Sequence, residues 1–235
     1  MVRRLLLFTF SHRTLALIRW DLHFIWVRFT NVVLLKQRSL LKRIAEAEGP
    51  IYLNLGSGPK GLSDRRWINV DGYRDTNVQY LLDFARHWPF PDSSLSGIFC
   101  EHVFEHFDME RGQTILRESL RVLQPGGCLR LIIPDGEKIL QSYFDSPAEL
   151  LVHRPGETPC IMEAVNSYFR QRYDHQWIYD WELLEHQLRE AGFDQVARVR
   201  FGEATISKPV LLDDQAYAWE SLYVEAAKPA AAPAD

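Results

Sequence analysis

The stretch EHVFEH at residues 101–106 brings together two histidines and two glutamates, side chains that can bind a metal ion or move protons. Within it, His102, Glu105 and His106 follow the order H-x-x-E-H, in which two histidines one helical turn apart bind zinc and the glutamate activates water. Such a site needs a regular helix and a third ligand from elsewhere in the chain. Later glutamates could be proposed as that ligand, but nothing about their spacing selects them. The sequence therefore predicts no metal site, and a zinc metallopeptidase with the H-x-x-E-H order is kept as a remote alternative.

A second candidate site is the glycine-rich stretch GSGPKG at residues 56–61, which has the form G-x-G-x-x-G. In dinucleotide-binding proteins this pattern is followed by a full helix and, about 20 positions on, by an acid that holds the ribose. Here Trp67 already begins the next strand, and the acid, Asp71, arrives early. The spacing disfavours a nicotinamide dinucleotide site and leaves a tight turn after a strand as the simple alternative.

Both stretches belong to a pattern of short apolar runs that alternate with helical segments. Strands alternating with helices imply a parallel sheet with helices on its faces. The predicted strands cover residues 51–55, 67–70, 78–82, 97–100, 129–133, 196–201 and 221–226, and the clearest helices cover 110–123 and 180–191. Because ligands of such sheets bind at the carboxyl ends of the strands, both stretches stand where a site is expected.

Composition favours one globular domain with appendages. The chain has 235 residues, of which 46% are hydrophobic and 25% are charged. Its three cysteines form no C-x-x-C pair, which favours a reducing compartment and a cytoplasmic location. Residues 1–50 hold nine basic and three acidic residues, a net charge of +6, which leaves −10 for residues 51–235. Residues 51–235 are acidic overall and do not predict a positively charged surface that could bind phosphates, so we expect no nucleic-acid partner.

The first 49 residues form a basic and apolar extension. Charged side chains such as Arg19 and Arg28 interrupt its apolar runs, so no window reaches the roughly 18 apolar residues of a membrane span. We predict one helix over residues 14–45, with a stop at Gly49-Pro50. This helix either packs on the domain or on a second subunit of a homo-oligomer, or it lies in the interface of the inner membrane as a peripheral contact.

Taken together, these features resemble the class I S-adenosylmethionine-dependent methyltransferases, including a predicted bacterial, type 11-like branch of that family. The similarity runs through LNLGSGPKG, WINVD, the region from LLDFARHWPF to EHVFEHF, RVLQPGGCLRLIIPD and a closing ESLYVEA. It implies a Rossmann-like α/β fold, in which a mostly parallel seven-stranded sheet carries helices on both faces. We accordingly divide the chain into the extension (1–49), a methyltransferase domain (50–227) and a disordered tail (228–235).

The resemblance implies that S-adenosylmethionine is the cofactor. Gly56 and Gly58 would let the backbone pass close to it, and Asp71 would accept both ribose hydroxyls. Asp83 would accept from the adenine amino group. Four neighbours complete the predicted cofactor site: Asn54, Ser57, Phe84 and Glu101. The alternative for both aspartates is that each is an ordinary acid that caps a loop.

The resemblance also places the EH pair beside the methyl donor. If the acceptor is a hydroxyl, a base must take its proton during the attack. His102 and His106 are the candidates, because histidine can gain or lose a proton near neutral pH. Glu105 and Asp135 are alternates or orienting groups. As a simpler alternative, His106 caps its helix or packs beneath the loop.

The segment 136–180 reads as an insertion after the fifth strand and is rich in aromatic residues. These are Tyr168, Phe169, Tyr173, Trp177 and Tyr179. They form either a substrate lid or part of the core. If these residues form a substrate lid, they favour, together with the resemblance, a small-molecule acceptor that carries a hydroxyl: a sugar, a lipid-linked glycan or another metabolite.

Two positions depart from the family pattern. The family usually has an acid two positions before the first glycine, where this chain has Asn54, and another acid just before the fourth strand, where it has Ser96. Asn54 loses a charge near the cofactor's ammonium group but keeps hydrogen-bonding capacity. These departures leave a non-catalytic binding or scaffold protein with the same fold as the main alternative.

Overall fold

A computed structural model describes residues 12–153, 160–171 and 174–231 of the chain. The strands are β1 (Tyr52–Leu55), β2 (Trp67–Asp71), β3 (Tyr80–Leu81), β4 (Leu95–Glu101), β5 (Leu123–Pro134), β6 (Val196–Val199) and β7 (Ser221–Ala227). The α-helices are α1 (His12–Val33), α2 (Lys36–Ala45), α3 (Met109–Val122), α4 (Gly136–Asp145), α5 (Pro147–Val152), α6 (Ile161–Arg170) and α7 (Trp181–Ala191).

The strands form one sheet in the order β3-β2-β1-β4-β5-β7-β6. β7 runs antiparallel to β5 and β6, and the other neighbouring strands pair in parallel. The order reverses between β1 and β4, so the loops that follow these two strands meet at one edge of the sheet. The topology confirms the predicted α/β fold class.

The junction between α3 and β5 differs from the prediction. The helix ends at Val122 and the strand begins at once, before the PGG turn, whereas the sequence places the turn between the two elements. The register with β4 then shifts from the pair Leu95–Leu123 to the pair Gly97–Cys128. The extra residues, including Gly126 with φ 76°, form a bulge within the strand.

Alternate residues of the strands face two different cores. One face packs under helices α3 and α7 and is built from residues such as Leu53, Ile98, Leu131 and Val224. On α3 the positions that meet it are Ile115, Leu116 and Val122, and Asp108 begins the helix by accepting from the backbone N–H of Arg111. The opposite face carries Tyr52, Phe99, Ile132 and Tyr223 and packs under the irregular segment 200–217.

A buried ionic network attaches segment 200–217 to the sheet. Arg130 of β5 is completely buried, and its Nη1 donates to Glu225 Oε1 of β7 at 3.0 Å and to the Glu203 carbonyl at 3.0 Å. Its Nε donates to Asp213 Oδ1 at 2.6 Å. Since Asp213 lies near the carboxyl edge of the sheet, the network fixes the part of the segment that reaches that edge.

The N-terminal extension is helical, but the prediction of one continuous helix is wrong. Leu35 adopts a left-handed conformation with φ 53°, which separates α1 from α2, and α2 ends at Ala45. α1 packs on the domain through Phe24 and Val27, and the side-chain amide of Asn31 donates to the Leu81 carbonyl at 2.8 Å. No helix in the described part of the chain is long and apolar enough to cross a membrane.

The insertion folds into the helices α4, α5 and α6, which share a small core that includes Ile139, Leu150 and Tyr168. Tyr168 and Tyr179 are buried, whereas Trp177 is exposed, and Tyr173 lies outside the described residues. At the C-terminus the backbone N–H of Lys228 donates to the Gly127 carbonyl at 2.9 Å. Residues 232–235 of the predicted tail lie outside the described residues.

Candidate functional site

The loop after β1 turns at two glycines. Gly56 has φ 75° and Gly58 has φ 45°, in the left-handed region that glycine adopts without steric cost. A Cβ on Gly56 would lie 2.1 Å from Cγ2 of Val103, so the chain after β4 packs directly onto this glycine. At Gly58, a Cβ would have no described atom within 4 Å. The backbone of the loop is therefore open to a ligand at Gly58.

Asp71, at the end of β2, braces this loop from the neighbouring strand. Its Oδ2 accepts from the backbone N–H of Gly58 at 2.9 Å, and its Oδ1 accepts from that of Tyr73 at 3.0 Å. These bonds fix the carboxylate at the carboxyl edge of the sheet. Each carboxylate oxygen has a second lone pair, so Asp71 can still accept the two hydroxyls of a ribose.

A cavity of about 470 Å³ opens at the carboxyl ends of β1 and β4. Six of the predicted site residues line it: Asn54, Gly56, Ser57, Gly58, Glu101 and His102. Its wall also contains residues that the sequence analysis did not single out: Lys60, Asp213, Asp214, Gln215 and Tyr217. Lys60 stands within GSGPKG and could have been noticed there. The other four come from an irregular segment that carries no motif.

Lys60 connects the two walls of this cavity. Its ammonium lies 3.4 Å from Glu101 Oε2 and 2.5 Å from Asp214 Oδ2, and it sits over the ring of Tyr217. The backbone N–H of Asp214 donates to Glu101 Oε1 at 2.9 Å. Partial burial disfavours the charge of Lys60, but the two carboxylates outweigh it and raise its pKa. The hydrogen bond from Lys60 lowers the pKa of Asp214.

His102 is held on three sides at the end of β4. Its Nε2 lies 2.8 Å from Ser221 Oγ, its Nδ1 lies 3.4 Å from Glu105 Oε1, and its ring packs on Tyr217 with centroids 4.2 Å apart. Its φ of 52° is left-handed, a conformation that is uncommon outside glycine. The backbone therefore turns this imidazole into the cavity wall.

The other predicted catalytic residues lie outside the cavity wall. Glu105 is buried behind His102; burial disfavours its ionisation, but the contacts with His102 and two further histidines hold its pKa below the usual range. His106 ends a short 3-10 turn, and its Nδ1 lies 3.2 Å from the Asp174 carbonyl. Asp135 begins α4 by accepting from Lys138 N and pairs with Arg198 at 2.9 Å. Of these predicted acids and bases, His102 is the one placed to reach a ligand.

Asp83 and Phe84 do not line the cavity that contains the glycine loop. Asp83 lines a second cleft of about 350 Å³ together with residues of α1, and Arg28 Nη1 lies 2.6 Å from its Oδ2. Burial raises the pKa of Asp83, although Arg28 opposes this shift. Phe84 is buried against the ring of Phe107. The sequence offered no signal that the extension would supply a cation to this aspartate.

The residues around the cavity suit S-adenosylmethionine. The cofactor carries a ribose diol, an ammonium and a carboxylate, and it contains no phosphate. Glu101 offers a carboxylate, and Gly58 leaves the loop backbone accessible. Asp71 is not part of the cavity wall, but it holds the backbone of Gly58 and offers two acceptors for the diol. The buried Oγ of Ser57 has no hydrogen-bond partner among the described residues, so it can still satisfy a polar ligand atom.

Known proteins are similar to this chain in the methyltransferase domain and in the fold. The family model described as "Methyltransferase domain" matches residues 64–131. A chain in the complex between the Haloferax volcanii Trm112 methyltransferase activator and a methyltransferase candidate is 13% identical with a TM-score of 0.50; the alignment covers 82% of this chain and 89% of that one. A SAM-dependent methyltransferase from Archaeoglobus fulgidus is 16% identical with a TM-score of 0.47, covering 86% and 99%. No curated protein matches the sequence at a significant level.

The strand order, the antiparallel β7 and the glycine loop after β1 define a class I methyltransferase fold. The match of the methyltransferase-domain model to residues 64–131 supports an S-adenosylmethionine-dependent methyltransferase as the class of enzyme. The predictions of family, enzyme class and cofactor are confirmed, and the particular roles of the site residues stay predictions.

Proposed function

We propose that this enzyme methylates a hydroxyl group of a small, polar acceptor, such as a sugar, a lipid-linked glycan or another metabolite, in the cavity at the ends of β1 and β4. The observation that carries the proposal is that His102 and the glycine loop line one cavity. A methyl donor on the loop and an acceptor beside His102 would therefore meet in the same space.

The lining supports a polar acceptor. Lys60, Asp214 and Gln215 offer donors and acceptors at one side, and the ring of Tyr217 offers an apolar surface between them. In ligand pockets, a few placed polar groups among apolar and aromatic side chains fix the orientation of the ligand. None of these side chains selects one sugar or metabolite over another, so the proposal names a chemical class.

In the proposed arrangement the cofactor lies along the glycine loop, with Asp71 on its ribose and Asn54, Ser57 and Glu101 near its amino-acid part. S-adenosylmethionine supplies an electrophilic methyl group on a sulfonium. The contribution of the protein is to align the acceptor oxygen with that methyl group, since alignment accounts for a large share of the rate of such displacements.

His102 would take the proton of the acceptor hydroxyl. For this role Nε2 must carry the lone pair, and Nδ1 must carry the proton and face Glu105, which is buried and 3.4 Å away. Ser221 is compatible with this tautomer, because its hydroxyl lies 2.8 Å from both His102 Nε2 and the Tyr217 carbonyl and can donate to either. In the reaction the acceptor hydroxyl would take the place of Ser221 at Nε2, while Ser221 donates to the Tyr217 carbonyl. Glu105 would thus orient the base and stabilise its protonated form.

Calorimetric titration with S-adenosylmethionine and S-adenosylhomocysteine tests the cofactor half of the proposal. We expect saturable binding that is lost in Asp71→Ala and retained in the matched control Asp75→Ala, an exposed aspartate four residues further on. Equal binding by both variants would show that the ribose is held elsewhere.

A screen of hydroxyl-bearing acceptors with methyl-labelled cofactor tests the catalytic half. We expect His102→Ala to reduce kcat by about 100-fold or more, in the range of general-base catalysis, with little change in cofactor affinity. The control is His186→Ala on the exposed side of α7. Unchanged turnover in His102→Ala would exclude this histidine as the base.

We also propose a peripheral membrane contact through α1 for this otherwise cytoplasmic enzyme. The side of α1 opposite to Phe24 and Val27 is exposed and apolar. Its residues are Ile18, Leu22, Ile25, Trp26, Phe29 and Val32. An exposed stripe of this size on a basic extension fits the interface of an anionic bilayer, where Trp and Phe bury their rings near the headgroups.

Sedimentation with vesicles that contain anionic lipid tests this contact. The double variant Leu22→Gln/Phe29→Gln should lose sedimentation, whereas Leu140→Gln, which removes an exposed leucine on α4, should retain it. If the wild-type chain stays in solution and forms a dimer that the double variant lacks, the stripe instead contacts a second subunit.

A further inference from the structure

We propose that Glu105, His106 and His175 bind a divalent transition-metal ion of the zinc class, at a site separate from the cofactor cavity. Within the described part of the chain, one carboxylate oxygen of Glu105 and one ring nitrogen of each histidine all lie within 4.8 Å of one another. The site differs from the H-x-x-E-H pattern, because its second histidine comes from the distant insertion and replaces His102.

The strongest observation is the state of the Glu105 carboxylate. The residue is 2% exposed, and neither carboxylate oxygen has a hydrogen-bond partner among the described residues. The nearest polar groups are ring nitrogens of His102 and His175, at 3.4 and 3.9 Å from Oε1. A buried carboxylate is costly unless it is paired and hydrogen-bonded or coordinates a metal. Its contacts in this structure are too long to satisfy it.

Both histidines are held in the orientation that metal ligands need. His175 Nδ1 lies 2.7 Å from the Tyr168 carbonyl, and His106 Nδ1 lies 3.2 Å from the Asp174 carbonyl. A carbonyl can only accept, so each Nδ1 carries the proton and each Nε2 keeps its lone pair. Metal-binding histidines almost always donate their second ring nitrogen to a carbonyl or carboxylate in this way.

The set of ligands indicates the kind of metal. Two imidazoles and one carboxylate suit zinc and its neighbours in the first transition row, whereas magnesium and calcium prefer oxygen ligands alone. Ligand atoms around a tetrahedral zinc are about 3.4 Å apart, given metal–ligand distances of about 2.1 Å. Contraction of the present cluster from within 4.8 Å, by up to about 1.4 Å, would therefore complete three positions, with the fourth left for water.

The metal would join two segments that are distant in sequence. Glu105 and His106 follow β4, whereas His175 precedes α7, and the Glu105 carbonyl already accepts from the backbone N–H groups of Gln176 and Trp177 at 2.8 and 3.2 Å. A metal ion would fix this junction. Because Glu105 also faces His102, the ion would fix the position of that imidazole in the cavity wall, which makes Glu105 a positioning residue for the cavity.

The test is metal analysis of the full-length protein, followed by titration of the chelator-treated protein with Zn²⁺ and with Co²⁺. We expect one zinc per chain at saturation, a rise in the thermal midpoint on adding Zn²⁺ but not Mg²⁺, and the absorption of tetrahedral or five-coordinate Co²⁺. Glu105→Gln and His175→Ala should each weaken zinc binding by about 100-fold or more. His186→Ala, which changes an exposed histidine, should bind zinc as the wild type does.

A wild-type chain that takes up no zinc, and whose thermal midpoint does not respond to it, overturns the proposal whether or not the variants fold. Zinc binding that survives both Glu105→Gln and His175→Ala also overturns it. Binding of S-adenosylmethionine is measured separately, so loss of the metal site and failure of the methyltransferase proposal give different results.

Discussion

Two buried glutamates in this structure have opposite surroundings. Glu225 of β7 is fully buried, and its Oε1 accepts a hydrogen bond from Arg130 at 3.0 Å. Its Oε2 accepts three more, from Thr205 Oγ1 and from the backbone N–H groups of Thr205 and Ile206, all within 3.0 Å. Glu105 is almost equally buried, and the part of the chain that the structure describes supplies it with no hydrogen bond. One carboxylate is satisfied by the fold, and the other is not.

The difference separates a structural role from a binding role. A buried charge whose lone pairs are all used can hold two elements together but cannot take a ligand without losing bonds. The Glu225 network accordingly fixes segment 200–217, which forms one wall of the cavity. Glu105 keeps its lone pairs for a cation or for the imidazole of His102. The following predictions test this contrast, in order of decreasing effect.

Arg130→Ala should lower the free energy of unfolding by about 3–5 kcal/mol, because it leaves Asp213 and Glu225 buried without their cation. Urea denaturation measures the change. Arg117→Ala, which removes an exposed arginine of α3, is the control and should change stability by about 0.5 kcal/mol or less. A small loss in Arg130→Ala would mean that water reaches the network.

Zinc at about 100 times its dissociation constant should raise the free energy of unfolding by about 2.7 kcal/mol if the metal binds the folded chain alone. At the same zinc concentration the increase should fall to about 0.4 kcal/mol or less in Glu105→Gln, whose affinity is at least 100-fold lower. It should be retained in Glu225→Gln, because this variant leaves all three proposed ligands in place. Thermal unfolding with and without chelator provides the measurement. An equal increase in both variants would assign the zinc to another site.

Glu225→Gln should cost about 2 kcal/mol, because the amide replaces a carboxylate that accepts charge-assisted hydrogen bonds. In metal-free protein Glu105→Gln should cost less, since the wild-type oxygens make no such bonds and a neutral amide is easier to bury. The two variants are compared by urea denaturation in the presence of a chelator. A larger loss at Glu105 would show that its histidine contacts already satisfy it.

A third carboxylate, Glu118 of α3, gives the smallest effect and depends on pH. Burial opposes its ionisation, but Arg121 and the backbone N–H of Trp88 lower its pKa below the usual glutamate value. A lowered pKa in the folded state stabilises the protein above the unfolded value of about 4.3, and this contribution is lost as the pH falls below it. Glu118→Gln should therefore cost about 1 kcal/mol at neutral pH and much less in acid.

Unfolding of wild type and Glu118→Gln, followed at neutral pH and below about pH 4, measures this dependence. The difference between the two proteins should narrow as the pH falls. A difference that stays constant with pH would mean that the loss comes from packing around Trp88 and not from the charge of the carboxylate.

Local patterns predicted the parts of the site that lie in continuous stretches. β1 and β2 were recognised from their apolar runs, and the tight turn after β1 from its glycines, because each depends on neighbouring residues. The break at Leu35 was missed, since a leucine in a left-handed conformation has no local signal. The early start of β5 was missed because the bulge depends on pairing with β4.

Contacts between distant segments could not be read from the sequence. Arg28 reaches Asp83 across 55 residues, and Glu105 meets His175 across 70. No periodicity or motif links these positions, so the extension was not expected to contact the predicted adenine residue. The same holds for Asp214 and Tyr217, which enter the cavity from a short 3-10 turn within segment 200–217.

The sequence by itself determined the alternation of strands and helices, the glycine turn after β1 and the acid that ends β2, because hydrophobic periodicity and glycine conformation are local properties of the chain. The tertiary structure alone decided which charged groups share a cavity and which are buried without partners. Those outcomes depend on how the sheet brings distant segments together, and on whether the hydrogen bonds available there satisfy each polar group. Glu225 and Glu105 are the same residue type, but their surroundings differ. Glu225 is part of a buried ionic network that holds segment 200–217, and Glu105 is a candidate metal ligand.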